Sequence, residues 1–79
     1  MADPMISIIL SDSNNKRVAG ARVRVIYEAG RADEGVTDAN GCVNLKYLGP
    51  FITSLIINQR WRPYRVELRD MDAVLNVRI

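Results

Sequence analysis

The 79-residue chain has no histidine, and that absence removes most of the common catalytic arrangements. Without an imidazole there is no Ser–His or Cys–His nucleophile pair and no histidine general base. A lone cysteine, Cys42, cannot close an intrachain disulfide, and one thiol without histidine cannot build a zinc centre. Small secreted domains usually depend on disulfides, so the expected setting is a reducing one, cytoplasmic or within an assembly. Long apolar runs are lacking as well. No stretch reaches the length that crosses a bilayer, and no basic–apolar–cleavage pattern opens the chain. Helical periodicity is also missing: no window of about a dozen residues places apolar side chains at i, i+3, i+4 and i+7 between caps. Catalytic residues, metal ligands and cofactor-binding residues are therefore all expected to be none, and a membrane is not an expected partner.

What is present is the composition of a folded domain, 48% hydrophobic and 25% charged. Eleven basic and nine acidic residues leave a net charge of +2, too near balance for a general polyanion binder. The length allows one domain, residues 1–79, with residues 1–4 as an unstructured lead-in. Short apolar or alternating runs recur roughly every ten residues between clusters of Gly, Asn, Asp and Pro, the spacing of a β-sandwich or barrel. Residues 5–10, 20–28, 35–37, 42–47, 51–58, 64–69 and 73–79 are the expected strands. Alternation turns Val23, Val25, Tyr27, Val43, Leu45, Tyr47, Tyr64, Val66, Leu68, Leu75, Val77 and Ile79 toward a core. Residues 51–58 are apolar on both faces and so belong in a central or covered strand. Residues 29–34 and 38–41 read as turns, with Gly41 suited to a positive φ and Asp38 to capping its own backbone. Seven short strands without a helix make a seven-stranded antiparallel Greek-key-type sandwich the expected fold.

The run of features resembles the carboxypeptidase regulatory-like domain, a transthyretin-like (prealbumin-like) β-sandwich. It is carried by Gly20-Ala21-Arg22-Val23-Arg24-Val25, then by the hairpin Thr37-Asp38-Ala39-Asn40-Gly41-Cys42-Val43-Asn44-Leu45. The break at Leu48-Gly49-Pro50, the aromatic stretch Trp61 to Tyr64 and the closing Val66-Glu67-Leu68 complete it. The match runs from about Lys16 to the end of the chain. Cys42 stands where the pattern usually has an aromatic, and Arg60-Trp61 replaces a common Gly-Tyr. The resemblance implies a non-catalytic accessory or interaction domain, with carbohydrate-binding domains in a neighbouring branch of the fold.

Few residues invite a functional reading. Asp33, Glu34, Asp38 and Asn40 are close in sequence, but the spacing of a calcium loop is absent, so turn formation is expected. Asp70 and Asp72 read as turn residues, and Cys42 as an inert thiol. Arg22 and Arg24 share a polar face, as do Arg65, Glu67 and Arg69. If those faces adjoin, cross-strand ion pairs worth about 0.2–1 kcal/mol each account for them; a solvated, mixed-charge face is the preferred reading and a basic patch for an acidic partner the alternative. The stretch from Arg60 to Arg65 is read as a loop leading into a strand, with Tyr64 inward and Pro63 at the boundary. That leaves Arg60, Trp61 and Arg62 as a loop tip. Trp61 either packs over the rim of the sandwich, the reading preferred here, or anchors a protein partner; a sugar or nucleic acid stacking on the indole is the weaker alternative. Finally, Ile9, Ile26, Ile52, Ile56 and Val74 fall opposite the expected core face. Either part of a sheet's outer face is covered by another copy or a partner chain, or the register is shifted in one or two strands.

Overall fold

The computed structural model describes residues 4–68 and 74–79. Among them lie seven strands: β1 (Met5–Ser11), β2 (Arg22–Tyr27), β3 (Ala32–Val36), β4 (Cys42–Lys46), β5 (Phe51–Ile57), β6 (Arg60–Glu67) and β7 (Val74–Arg78). A single 3-10 turn, Glu28–Gly30, joins β2 to β3. The strands form a three-stranded sheet ordered β4-β1-β7 and a four-stranded sheet ordered β3-β2-β5-β6. The all-β expectation holds. A wholly antiparallel arrangement does not, because β1 and β7 run parallel, Ser7 beside Val74 and Ser11 beside Arg78.

Alternation builds the core. Ile6, Ile8 and Leu10 of β1 point inward with Val43 and Leu45 of β4 and Leu75 and Val77 of β7. Across the sandwich they meet Val23, Val25 and Tyr27 of β2, and Ile52, Leu55 and Ile57 of β5, all buried. Tyr47, Tyr64 and Val66 are half-buried against this cluster and Leu68 is buried, whereas Ile79 is 42% exposed and lies outside it. β5 is a central strand, paired with β2 along one edge and β6 along the other; Ile52, Leu55 and Ile57 are buried in the core and Ile56 is half-buried on the opposite face.

Two corrections concern boundaries. Residues 29–34 are not one turn: Ala32, Asp33 and Glu34 begin β3, and the reversal is confined to the 3-10 turn, where Ala29 and Gly30 take φ of 73° and 80°. The strand accepts these polar residues because Glu34 faces solvent and the Asp33 carboxylate accepts from Lys46 N at 2.8 Å. The lead-in reading reaches the described residues only at Pro4, whose carbonyl accepts a 3.0 Å hydrogen bond from the Tyr47 amide, so Pro4 is tied to the sheet. Residues 1–3, and with them most of that reading, lie outside the described residues. So do Arg69, Asp70, Asp72 and Ala73.

The Asp38–Gly41 turn behaves as its residue types require. Asp38 Oδ1 accepts from the amides of Asn40 (2.9 Å) and Cys42 (3.0 Å), and Gly41 sits at φ 73°. A Cβ on Gly41 would stand 2.7 Å from the Leu10 carbonyl oxygen, so glycine is needed there for space as well as for φ. Thr37, only 4% exposed, bonds in two directions: its hydroxyl accepts from Ala21 N (2.9 Å) and donates to Val18 O (2.7 Å).

Candidate functional site

Arg60, Trp61 and Arg62 are not a loop tip. They open β6, directly after a two-residue turn at Asn58-Gln59 whose φ values are 50° and 70°. Two central residues at positive φ make the tight hairpin whose twist matches that of its strands, and asparagine tolerates that conformation better than most residues. The Asn58 side chain adds a tie to the neighbouring strand: Oδ1 accepts from Arg22 N at 3.0 Å, while Asn58 N donates to Arg22 O at 2.9 Å. An Asn-Gln pair between two alternating runs was the sequence signal for this hairpin. Pro63, four residues after Gln59, drew the strand boundary too far along.

Strand register then divides the three residues. Arg60 lies opposite Ile57, Trp61 opposite Ile56, and Arg62 opposite Leu55. Ile57 and Leu55 face the core, so Arg60 and Arg62 fall on the inward side of the sheet edge and Trp61 on the outer face. Arg62 is half-buried and its Nη1 donates to the Arg78 carbonyl at 3.1 Å, bridging the two sheets. Trp61 does not fold over the rim: it is 63% exposed. Across the outer face it heads a row, Trp61–Ile56–Arg24–Glu34, that traverses all four strands of the sheet.

Beside this edge lies a cleft of about 760 Å³ lined by Ile57, Asn58, Arg60, Trp61, Arg62, Ile79 and, from the connection after β1, Asp12 and Ser13. Asp12 is held in its own turn, Oδ1 accepting from the amides of Asn14 (2.8 Å) and Lys16 (3.0 Å). Asp12, Ser13 and Ile79 are distant in sequence from Arg60, and nothing in their local pattern marks them.

The five residues assigned to a covered face do not share one. Ile26 and Ile56, both half-buried, belong to the outer face of the four-stranded sheet with Trp61. Ile9, half-buried, and Val74, 56% exposed, lie on the outer face of the three-stranded sheet. Ile52 is core, 1% exposed. Its displacement has a local cause: between the pairs Ile26–Ser54 and Tyr27–Ile52, β5 carries one residue more than β2, which reverses the facing of the strand on one side of it. Phe51 is thereby left 44% exposed.

The charged residues are also separated. Strand β5 lies between β2 and β6, so Arg22 and Arg24 do not face Arg65 and Glu67; Arg24 stands opposite Glu34 of β3 instead. Asp33 Oδ2 accepts from Lys46 N at 2.8 Å, stitching β3 to β4. Among the described residues no three His, Cys, Asp or Glu side chains are grouped to hold a metal ion. Cys42 is half-buried opposite Ile9. Burial pushes the Tyr27 phenol above its ordinary 10.0, partly opposed by the Leu48 backbone; its hydroxyl donates to Lys46 O at 2.8 Å, a structural bond between the sheets. No helix among the described residues is long and apolar enough to cross a membrane.

No family model matches the chain, and comparison with curated proteins finds no match.

Proposed function

We propose that the chain is a non-catalytic interaction module, a transthyretin-like sandwich of the carboxypeptidase regulatory-like kind, which docks a protein partner around Trp61. One observation carries this reading: the chain's single tryptophan is 63% exposed on an edge strand, at the head of a row that includes Ile56 and Arg24. A large apolar ring left in water is costly unless something covers it, and tryptophan with arginine is the residue pair most enriched at the energetic centres of protein interfaces. The lack of histidine supports a non-catalytic role. The family reading rests on the Thr37–Leu45 stretch, where Asp38 and Gly41 perform the turn chemistry of the motif, although the turn joins β3 and β4 of different sheets and is not a hairpin.

The test compares the chain with its Trp61→Ala variant in capture of partners from the cells that make it, alongside light scattering for self-association. Loss of a hot-spot tryptophan is expected to weaken the complex by at least about thirtyfold, with thermal unfolding nearly unchanged. A complex that survives the substitution overturns the reading. Tryptophan emission that shifts with an oligosaccharide, and with no protein, would instead favour a sugar-binding module.

A further inference from the structure

The overall charge of +2 is unevenly spread. The connection after β1, the Asp38–Gly41 turn, the Asn58-Gln59 turn and the end of β7 gather at one end of the sandwich. They are tied there by Leu10 N to Gly41 O, Asn58 N to Arg22 O and Ile79 N to Ser11 O. Down to the level of Arg62, that end carries Lys16, Arg17, Arg22, Arg24, Arg60, Arg62 and Arg78 against Asp12, Asp33, Glu34 and Asp38. Asp12 and Asp38 are turned onto the backbone amides of their own turns, Asp33 accepts from Lys46 N, and Glu34 stands opposite Arg24 on the far side of the sheet from β6. The cleft between β6 and Ile79 opens within this basic end, and β6 is the last strand of its sheet, with no partner on its other side among the described residues.

We infer that the start of β6 is a docking edge for an extended acidic segment of a partner protein, in which carboxylate and apolar side chains alternate. This inference rests on the proposed interaction role and names the partner's chemistry. A strand added to β6 would place its side chains directly opposite those of Arg60, Trp61 and Arg62, on matching faces. Two carboxylates, two residues apart, then meet Arg60 and Arg62 in the cleft, and the apolar residue between them lies on the outer face against Trp61 and Ile56. Arg62 is already held over the cleft by its bond to Arg78 O, and its guanidinium has further N–H donors for a carboxylate. Pro63 has no N–H, so the added ladder is confined to the first residues of the strand. Arginines and a proline also guard sheet edges against chance pairing, but an exposed tryptophan among them is the opposite of a guard. A single-stranded nucleic acid fits less well. Such ligands need successive aromatic platforms, whereas β6 offers one indole at this end, and bases make no use of a strand's free amides.

The experiment titrates the full chain with dye-labelled peptides: one alternating glutamate and valine, one of the same composition with the glutamates in a block. A short oligothymidylate is the third probe. Binding of the alternating peptide with a change in Trp61 emission is expected, weakened about tenfold or more by Arg60→Glu and by Arg62→Glu. Arg65→Glu, the same charge change on the same strand outside the cleft, is expected to bind as the parent does and so controls for net charge. The inference is overturned by equal binding of the blocked peptide, by tighter binding of oligothymidylate, by no binding, or by arginine variants that bind unchanged. If the peptide fails while Trp61→Ala still abolishes partner capture, the acidic-strand inference falls and the interaction role stands. If capture survives Trp61→Ala, the interaction role itself falls.

Discussion

Thr37 shows how much one side chain can settle. Its hydroxyl joins the segment before β2 to the residue after β3, accepting from Ala21 N and donating to Val18 O in a site almost closed to water. Thr37→Val keeps the shape and strands an amide and a carbonyl, so a loss of about 1–3 kcal/mol is expected in urea unfolding, while Thr37→Ser retains most of the stability. Trp61 is the contrasting case. The same alternation that correctly turned Val23, Val25 and Tyr27 inward said nothing about Trp61, because its facing depends on where β6 begins. Once Asn58 and Gln59 form the turn, Trp61 must oppose Ile56 and point outward. Ile52 was misplaced for a related reason: the one extra residue that β5 carries against β2 beside it is invisible to a period of two.

At the scale of elements, two places bear strain or tight packing. Gln59 holds φ 70° in the hairpin turn, a position that glycine occupies without steric cost. Gln59→Gly is therefore expected to raise stability by roughly 0.5–1 kcal/mol, a few degrees in the melting midpoint for a domain of this size. The second place is the seam between β3 and β4, which closes one side of the sandwich. A Cβ on Gly35 would lie 2.7 Å from Val43 Cγ2 and 3.0 Å from Leu45 Cδ2. Gly35→Ala is expected to cost about 1–3 kcal/mol through overpacking, and Val43→Ala in the same chain should recover part of that loss. The two edges differ in kind. β3 lies against β4, with Asp33 bonded to Lys46 N, whereas the start of β6 borders an open cleft.

At the scale of the whole molecule, Tyr27 links the sheets and makes the sandwich sensitive to alkali. Its pKa is raised in the folded state, chiefly by burial. A raised pKa means that the folded state favours the neutral phenol. The resulting stabilisation is complete below the unfolded value and is lost as pH climbs through the folded one. Stability is thus expected to fall above pH about 10, the ordinary tyrosine value. Tyr27→Phe should be less stable at neutral pH, for want of the bond to Lys46 O, and should show a shallower alkaline decline in chemical denaturation followed against pH.

Composition and local pattern determined that this chain is all-β, where Asp38 and Gly41 turn it, and which side chains of β2, β4 and β7 fill the core. Those are nearest-neighbour matters, settled by side-chain alternation and by the few residues that accept a tight turn. The tertiary structure alone decided which strands adjoin. It set β5 between β2 and β6, ran β7 parallel to β1, sent Ile52 inward and split the remaining outward aliphatics between two layers. It also set most of the cations, Arg60 and Arg62 among them, toward one end of a nearly neutral chain. Pairing across the sandwich depends on contacts between residues far apart in sequence, and no local pattern encodes which distant strand will be the partner.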